Sequence, residues 1–303
     1  MFSKKLTTAI LQKNSRVCVG LDPRLELIPE KIKQQAIKKH GKTFQAAAEA
    51  IRVFNRQVID VVAPHVPIIK PQLAFYEQYG AAGVATFEDT VAYAHDNGLL
   101  VIADAKRGDI GSTSQAYANA FLGKTNIFEE EKAAFNADAL TINPFLGEDS
   151  LLPFIDTCQK YGKGIFVLVK TSNIGGKDIQ DLEVDGKTVS EKLAGMLNKH
   201  AGNYSSDEKY TNIGAVVGAT FPEQAKGLRE LMPRSIFLVP GIGAQGGDLN
   251  SLAVFFDPEG LGAIINSSRG IVFPKEAQGQ DNYLEIIEGK AKELKEQINE
   301  VVL

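Results

Sequence analysis

Leu99-Leu100-Val101-Ile102-Ala103-Asp104-Ala105-Lys106-Arg107-Gly108-Asp109-Ile110 is the stretch whose reading decides the fold. Its first five residues are all apolar, which marks a strand buried on both faces, as in a parallel sheet covered by helices. The run then switches to two carboxylates around one lysine. Strand side chains alternate, so Asp104 and Lys106 share a face, while Asp109 follows in the turn. A lysine between two carboxylates stays protonated, because nearby negative charge favours the cation. The same pair could form a surface ion pair on an edge strand. The neighbours point to a site instead: Ala105, Gly108 and Gly111 leave room for a ligand against the backbone, and Ser112 or Thr113 can cap a helix beginning near Ser114.

Seven similar apolar, β-branched runs flank this one. Together the eight cover residues 16–22, 67–73, 99–105, 139–143, 165–170, 213–219, 236–242 and 262–267. Between and after them lie amphipathic helical patterns at 43–62, 81–97, 114–135, 150–161, 190–200, 222–231 and 282–301. Eight strand-plus-helix units predict an α/β fold of the (β/α)8 TIM-barrel type, one domain spanning 1–303. A doubly wound open sheet is the rival, but no G-x-G-x-x-G fingerprint follows the first strand. Two connections exceed what a minimal barrel needs, giving extra rim segments after strands one and five. Residues 23–41 hold an additional helix, and residues 173–211 contain Asp185-Gly186, a hairpin signal.

Composition excludes several classes. The 303 residues carry a formal charge of −4, with Lys and Arg scattered rather than striped, so no nucleic-acid partner is expected. Cys18 and Cys158 fall in an apolar run and a helical pattern, which suits a reducing cytoplasmic setting rather than a disulfide framework. Residues 1–14 are too polar for a signal peptide, and no run approaches a membrane span. His40, His65, His95 and His200 lie in helical or connecting segments, so neither a catalytic triad nor a metal site is expected.

Polar residues at the strand ends carry the function. The first strand ends in Asp22, the second carries Lys70, the third Asp104 and Lys106, the fourth ends in Asn143, and the fifth leads to Thr171 and Ser172. At the C-terminal mouth of a barrel these would converge. The last two strands are followed by Pro240-Gly241-Ile242-Gly243-Ala244-Gln245-Gly246-Gly247 and Asn266-Ser267-Ser268-Arg269-Gly270, where barrels commonly hold phosphate. Glycine lets backbone N–H groups reach an anion, and Arg269 can bind two phosphate oxygens at once. The glycine-rich segment is predicted to close over a bound ligand.

At these residues the chain resembles the orotidine 5'-phosphate decarboxylase family. The D-x-K-x-x-D-I motif matches Asp104, Lys106, Asp109 and Ile110, and the P-G-I-G-A-Q-G-G segment with its following arginine matches as well. The extended form through Thr113, together with Val169-Lys170-Thr171-Ser172-Asn173, is similar to the longer bacterial subgroup. The resemblance implies conversion of orotidine 5'-monophosphate to UMP and CO2 without metal or organic cofactor. It also implies that Lys106 protonates C6 and that Asp104 faces the substrate carboxylate. A homodimer with shared active sites would bring Asp109, Ile110 and Thr113 into the neighbouring site. Asp22 and Lys70 would hold ribose hydroxyls, Ser172 the pyrimidine amide edge, Gln245 would bridge base and phosphate, and Arg269 would clamp the phosphate. Asn143 and Gly243 are further substrate-binding candidates by position.

Two other readings compete. A magnesium-dependent sugar-phosphate decarboxylase or aldolase of the same superfamily also places D-x-K on strand three, but pairs it with an acidic residue on strand two, where this chain has Lys70. A phosphate-ligand barrel without catalysis would need decay of the Asp104, Lys106 and Asp109 set, and all three are intact.

Overall fold

Val17–Leu21 (β1) is five consecutive buried residues, the first of eight strands that hydrogen-bond side by side. The others are β2 (Ile68–Pro71), β3 (Leu100–Arg107), β4 (Ala139–Ile142), β5 (Gly164–Lys170), β6 (Ile213–Val217), β7 (Phe237–Val239) and β8 (Ala263–Ser267). Every pairing is parallel, in the order β1-β8-β7-β6-β5-β4-β3-β2, and β1 closes on both β2 and β8. The computed structural model describes residues 1–204, 207–242 and 248–302. All eight predicted strands are present, and they form the predicted barrel rather than an open sheet.

The helices are α1 (Phe2–Lys13), which packs at one end of the barrel, and around its outside α2 (Glu30–His40), α3 (Phe44–Val62), α4 (Gly80–Asp96), α5 (Gly111–Phe121), α6 (Glu148–Tyr161), α7 (Val189–Ala201), α8 (Pro222–Leu231), the short α9 (Arg269–Val272) and α10 (Tyr283–Val302). Helix starts follow local chemistry. The Thr43 side chain accepts from Ala46 N at the head of α3, and Thr188 with Glu191 forms a reciprocal capping box on α7. Burial of the strands' outer faces against these helices forms the larger core, and among the described residues no helix is long and apolar enough to cross a membrane.

Both predicted rim segments are present. After β1 come a short 3-10 turn (Leu25–Leu27) and α2. After β5 come a helical turn (Lys177–Gln180) and a two-residue-per-strand hairpin whose corner, Asp185-Gly186, has both φ angles positive.

Two features differ from the sequence reading. The predicted helix over 114–135 stops at Phe121, and Thr125–Ile127 and Glu130–Lys132 form an antiparallel hairpin. The chain leaves α5 at Leu122-Gly123, whose N–H groups both return to Ala118 O, a helix-ending pattern. The second is α1, which the targeting reading of residues 1–14 passed over. Phe2, Leu6 and Ile10, spaced i, i+4, i+8, are buried with Cys18, Ile102, Phe166 and Ile264 from the barrel interior. Phe2 meets Phe166 edge-on at 5.9 Å. This helix therefore plugs the barrel at the end where the strands begin, leaving the opposite mouth open.

Candidate active site

The mouth at the strands' C-terminal ends holds a cavity of about 410 Å3. Its walls include Asp22 from the end of β1, Lys70 and Gln72 from β2 and its exit, Asp104 and Lys106 from β3, Thr141 from β4, Thr171 and Ser172 after β5, and Arg269 on α9. Seven polar residues singled out at the strand ends thus come together: Asp22, Lys70, Asp104, Lys106, Thr171, Ser172 and Arg269.

The centre is the Asp104 carboxylate, whose side chain is 8% exposed. Oδ2 accepts from Lys70 Nζ at 2.6 Å and Gln72 Nε2 at 2.9 Å. Oδ1 accepts from Lys106 Nζ at 2.5 Å and Thr141 Oγ1 at 3.0 Å. Burial alone would push the Asp104 carboxyl up. The two ammonium groups, by charge and hydrogen bonding, reverse this and hold it well below the usual carboxylate range. For Lys70 the balance is the mirror image: burial disfavours its charge, but the Asp104 and Asp22 carboxylates outweigh that and raise it. The two lysines differ in access, since the Lys70 side chain is 6% exposed and that of Lys106 is 46% exposed. Lys70 is locked under the carboxylate, whereas Lys106 reaches into the open cavity.

Plain strand alternation does not account for Lys106. Its φ is +48°, and the β3–β4 register slips between Ala103 and Arg107. Its N–H leaves the ladder and donates to Thr141 Oγ1 at 2.9 Å, the same hydroxyl that donates to Asp104. One threonine thus fixes both the bulge and the carboxylate. A non-glycine residue in the left-handed region costs of order 1 kcal/mol or more, and such strain concentrates at functional sites.

On the side of the cavity formed by α9, Gly20 lets the turn after β8 approach: a Cβ there would lie 1.9 Å from Ser268 Oγ. Ser268 immediately precedes Arg269, the first residue of α9, so this contact fixes the backbone from which Arg269 projects. Two residues that line the cavity carry a buried acceptor with no hydrogen-bond partner among the described residues, Asp22 Oδ1 and Asn266 Oδ1. Buried polar atoms are normally hydrogen-bonded, so both are suited to hydroxyl or N–H donors of a ligand. Below the mouth, Cys18 is buried and its thiol pushed up to about 12, chiefly by burial, which rules it out as a nucleophile.

The remaining predicted residues lie elsewhere. Asp109, Ile110 and Thr113 are on the rim outside the cavity, with Asp109 Oδ1 accepting from Ile110 N and Ile110 57% exposed. Asn143 is exposed and its Oδ1 accepts from Phe145 N, so its side chain shapes the turn after β4. Of the glycine-rich segment, Pro240, Gly241 and Ile242 line the cavity, while residues 243–247, with Gly243 and Gln245 and the expected closing movement, lie outside the described residues. Sequence reading missed Gln72, Thr141 and Arg24, all of which line the cavity. Gln72 had a readable signal, standing two residues after Lys70. Thr141 is a lone hydroxyl inside an apolar strand, and only the register of β3 against β4 brings it to Asp104.

Comparison with known proteins agrees with this geometry. The profile of the family described as Orotidine 5'-phosphate decarboxylase / HUMPS matches residues 15–279. A protein named orotidine 5'-phosphate decarboxylase from Rhodopirellula baltica is 43% identical over 303 residues, covering 98% of each chain. The protein of that name from Haloarcula marismortui is 38% identical, covering 99% of each. A crystal structure titled putative orotidine-monophosphate-decarboxylase from Toxoplasma gondii superposes with a TM-score of 0.80 at 32% identity, over 98% of this chain and 96% of that one. The Leishmania donovani OMP decarboxylase structure gives 0.74 at 34%, over 99% and 98%.

Proposed function

Since the chain belongs to the orotidine 5'-phosphate decarboxylase family and carries out the decarboxylation of orotidine 5'-monophosphate to UMP in pyrimidine synthesis, we propose that Lys106 is the acid of that reaction. One observation carries this reading: both ammonium groups on Asp104 line the cavity, and that of Lys106 is by far the more accessible, its side chain 46% exposed against 6% for Lys70.

Heterolysis of the bond between C6 and the carboxylate carbon releases CO2 and leaves an electron pair on C6 that the ring cannot delocalise. The Lys106 ammonium stands where that negative charge develops and then gives its proton to C6, yielding UMP and a neutral amine that solvent reprotonates. Asp104 faces the substrate carboxylate, and their repulsion is relieved as neutral CO2 departs. Lys70, Gln72 and Thr141 hold Asp104 ionised and immobile throughout. Two unit charges about 4 Å apart at an effective dielectric of about 20 interact by roughly 4 kcal/mol, while demanding enzymes lower barriers by up to about 23 kcal/mol. Binding of the distant phosphate must therefore help to organise the site. In our assignment Arg269 clamps the phosphate, Gln245 bridges base and phosphate, Gly243 binds substrate, and Asp22 and Lys70 take ribose hydroxyls. Ser172 meets the pyrimidine amide edge.

We further assign a homodimer in which Asp109, Ile110 and Thr113 complete the partner's site. The exposed apolar side chains Ile110, Phe145 and Leu146 beside the mouth support such a contact. A cytoplasmic location is proposed, as suits an enzyme whose substrate is a charged phosphate ester. The magnesium-dependent alternative is disfavoured because two ammonium groups already occupy the Asp104 carboxylate. The test is a spectrophotometric assay on orotidine 5'-monophosphate with and without EDTA. Equal turnover in both supports the reading; no turnover, or turnover restored only by magnesium, overturns it.

A further inference from the structure

We propose that the segment inserted after β5 is a clasp that sets the position of Ser172, with Gln180 and Gly176 as positioning residues for the pyrimidine ring. The inference rests on the functional reading above, in which Ser172 meets the base.

The Gln180 side chain closes a two-bond ring on the residue before Ser172. Its Oε1 accepts from Thr171 N at 2.9 Å, and its Nε2 donates to Thr171 Oγ1 at 2.8 Å. Thr171 N lies just past the end of β5, so the glutamine amide supplies an acceptor where the strand's own pairing has stopped. The clasp is itself anchored, since Ser190 Oγ donates to both Val169 O and Gln180 O. Gly176 leaves the space it needs: a Cβ there would lie 2.8 Å from Thr171 Oγ1 and 2.9 Å from Gln180 Oε1.

The far side of Ser172 is equally constrained. Thr220 Oγ1 donates to Ser172 O at 3.0 Å, and a Cβ on Gly218 would come within 2.7 Å of Ser172 Cα. Ser172 is therefore wedged between the exit of β6 and the inserted segment. The β6 side is part of the barrel, whereas the Gln180 side exists only because of the insertion. Removing the glutamine's two bonds frees the Thr171–Ser172 backbone on the insertion side without touching the phosphate or ribose contacts.

The test separates base recognition from general damage. For Gln180→Leu, the affinity for UMP and the KM for orotidine 5'-monophosphate are expected to weaken about tenfold, while inhibition by ribose 5-phosphate, which lacks the base, stays within about twofold of the parent. Gln180→Glu keeps acceptors for both the Thr171 N–H and its hydroxyl, and is expected to restore UMP affinity to within about threefold. Gly176→Ala, which crowds the same ring, provides an independent reading if the leucine variant folds poorly. Equal weakening toward UMP and ribose 5-phosphate, or no change toward either, overturns the clasp. Failure of the parent enzyme to turn over orotidine 5'-monophosphate would instead overturn the functional reading beneath it.

Discussion

Lys70 Nζ lies 2.6 Å from Asp104 Oδ2, on the opposite oxygen from Lys106, and both members of this pair are buried. This ion pair holds the carboxylate charged and leaves the second lysine available to a ligand. Breaking a buried pair by removing one partner costs about 3–5 kcal/mol, because the other charge is stranded.

The pair has a pH signature. The folded Asp104 carboxyl is lowered from 3.8, so its stabilisation is fully present above that value and is lost as pH falls through the folded value. Asp104→Asn should therefore be less stable than the parent at pH 6, and the gap should narrow below about pH 3.8, by at most about 1.4 kcal/mol per pH unit. Lys70, being raised from 10.5, contributes fully below that value and loses its contribution only in stronger alkali. Urea unfolding of both proteins at pH 6, 4 and 3 checks this; a gap that widens on acidification contradicts it.

Arg269 is assigned to the phosphate alone. Arg269→Ala should lower kcat/KM for orotidine 5'-monophosphate by about 10²-fold, the scale of one charge-assisted contact. Turnover of the nucleoside orotidine, which has no phosphate, should change by less than about threefold. Steady-state kinetics on the two substrates give the answer.

Gly20 and Ser268 form a second packing constraint. A methyl at Gly20 would collide with the Ser268 side chain, 1.9 Å from Oγ and 2.9 Å from Cβ, and displace the adjoining Arg269. Gly20→Ala should thus raise KM, and Gly20→Ala with Ser268→Gly should recover most of the loss, a non-additivity expected of residues in contact. Additive losses in the double variant would show that the two do not communicate.

Shared active sites can be tested by mixing. Lys106→Ala and Asp109→Ala homodimers should each be nearly inactive. If Asp109 serves the neighbouring site, random subunit exchange makes half the dimers hybrid, each with one intact site, so activity should return to about a quarter of the parent. No recovery after exchange would place Asp109 in its own subunit's site or remove it from the chemistry.

The barrel was legible because its strands are buried on both faces and so read as unbroken β-branched runs, an effect of layer architecture rather than of local propensity. The hairpin at 125–132 was not, since the aromatic and acidic residues there continue a helix-like spacing past Gly123. In the site, Asp22, Lys70, Asp104, Lys106, Ser172 and Arg269 were visible because polar side chains at the ends of apolar runs stand out. The Thr141 hydroxyl and the left-handed Lys106 depend on the slipped register between β3 and β4, and no single strand records its partner's register.

The account depends on Lys106 supplying the proton to C6. The most direct measurement is turnover of orotidine 5'-monophosphate by Lys106→Ala at saturating substrate, with UMP affinity measured on the same protein. Turnover should fall by about 10⁴-fold or more while UMP affinity stays within about tenfold of the parent. Turnover within tenfold of the parent would mean that another group protonates C6, and the role given to Lys106 would be wrong.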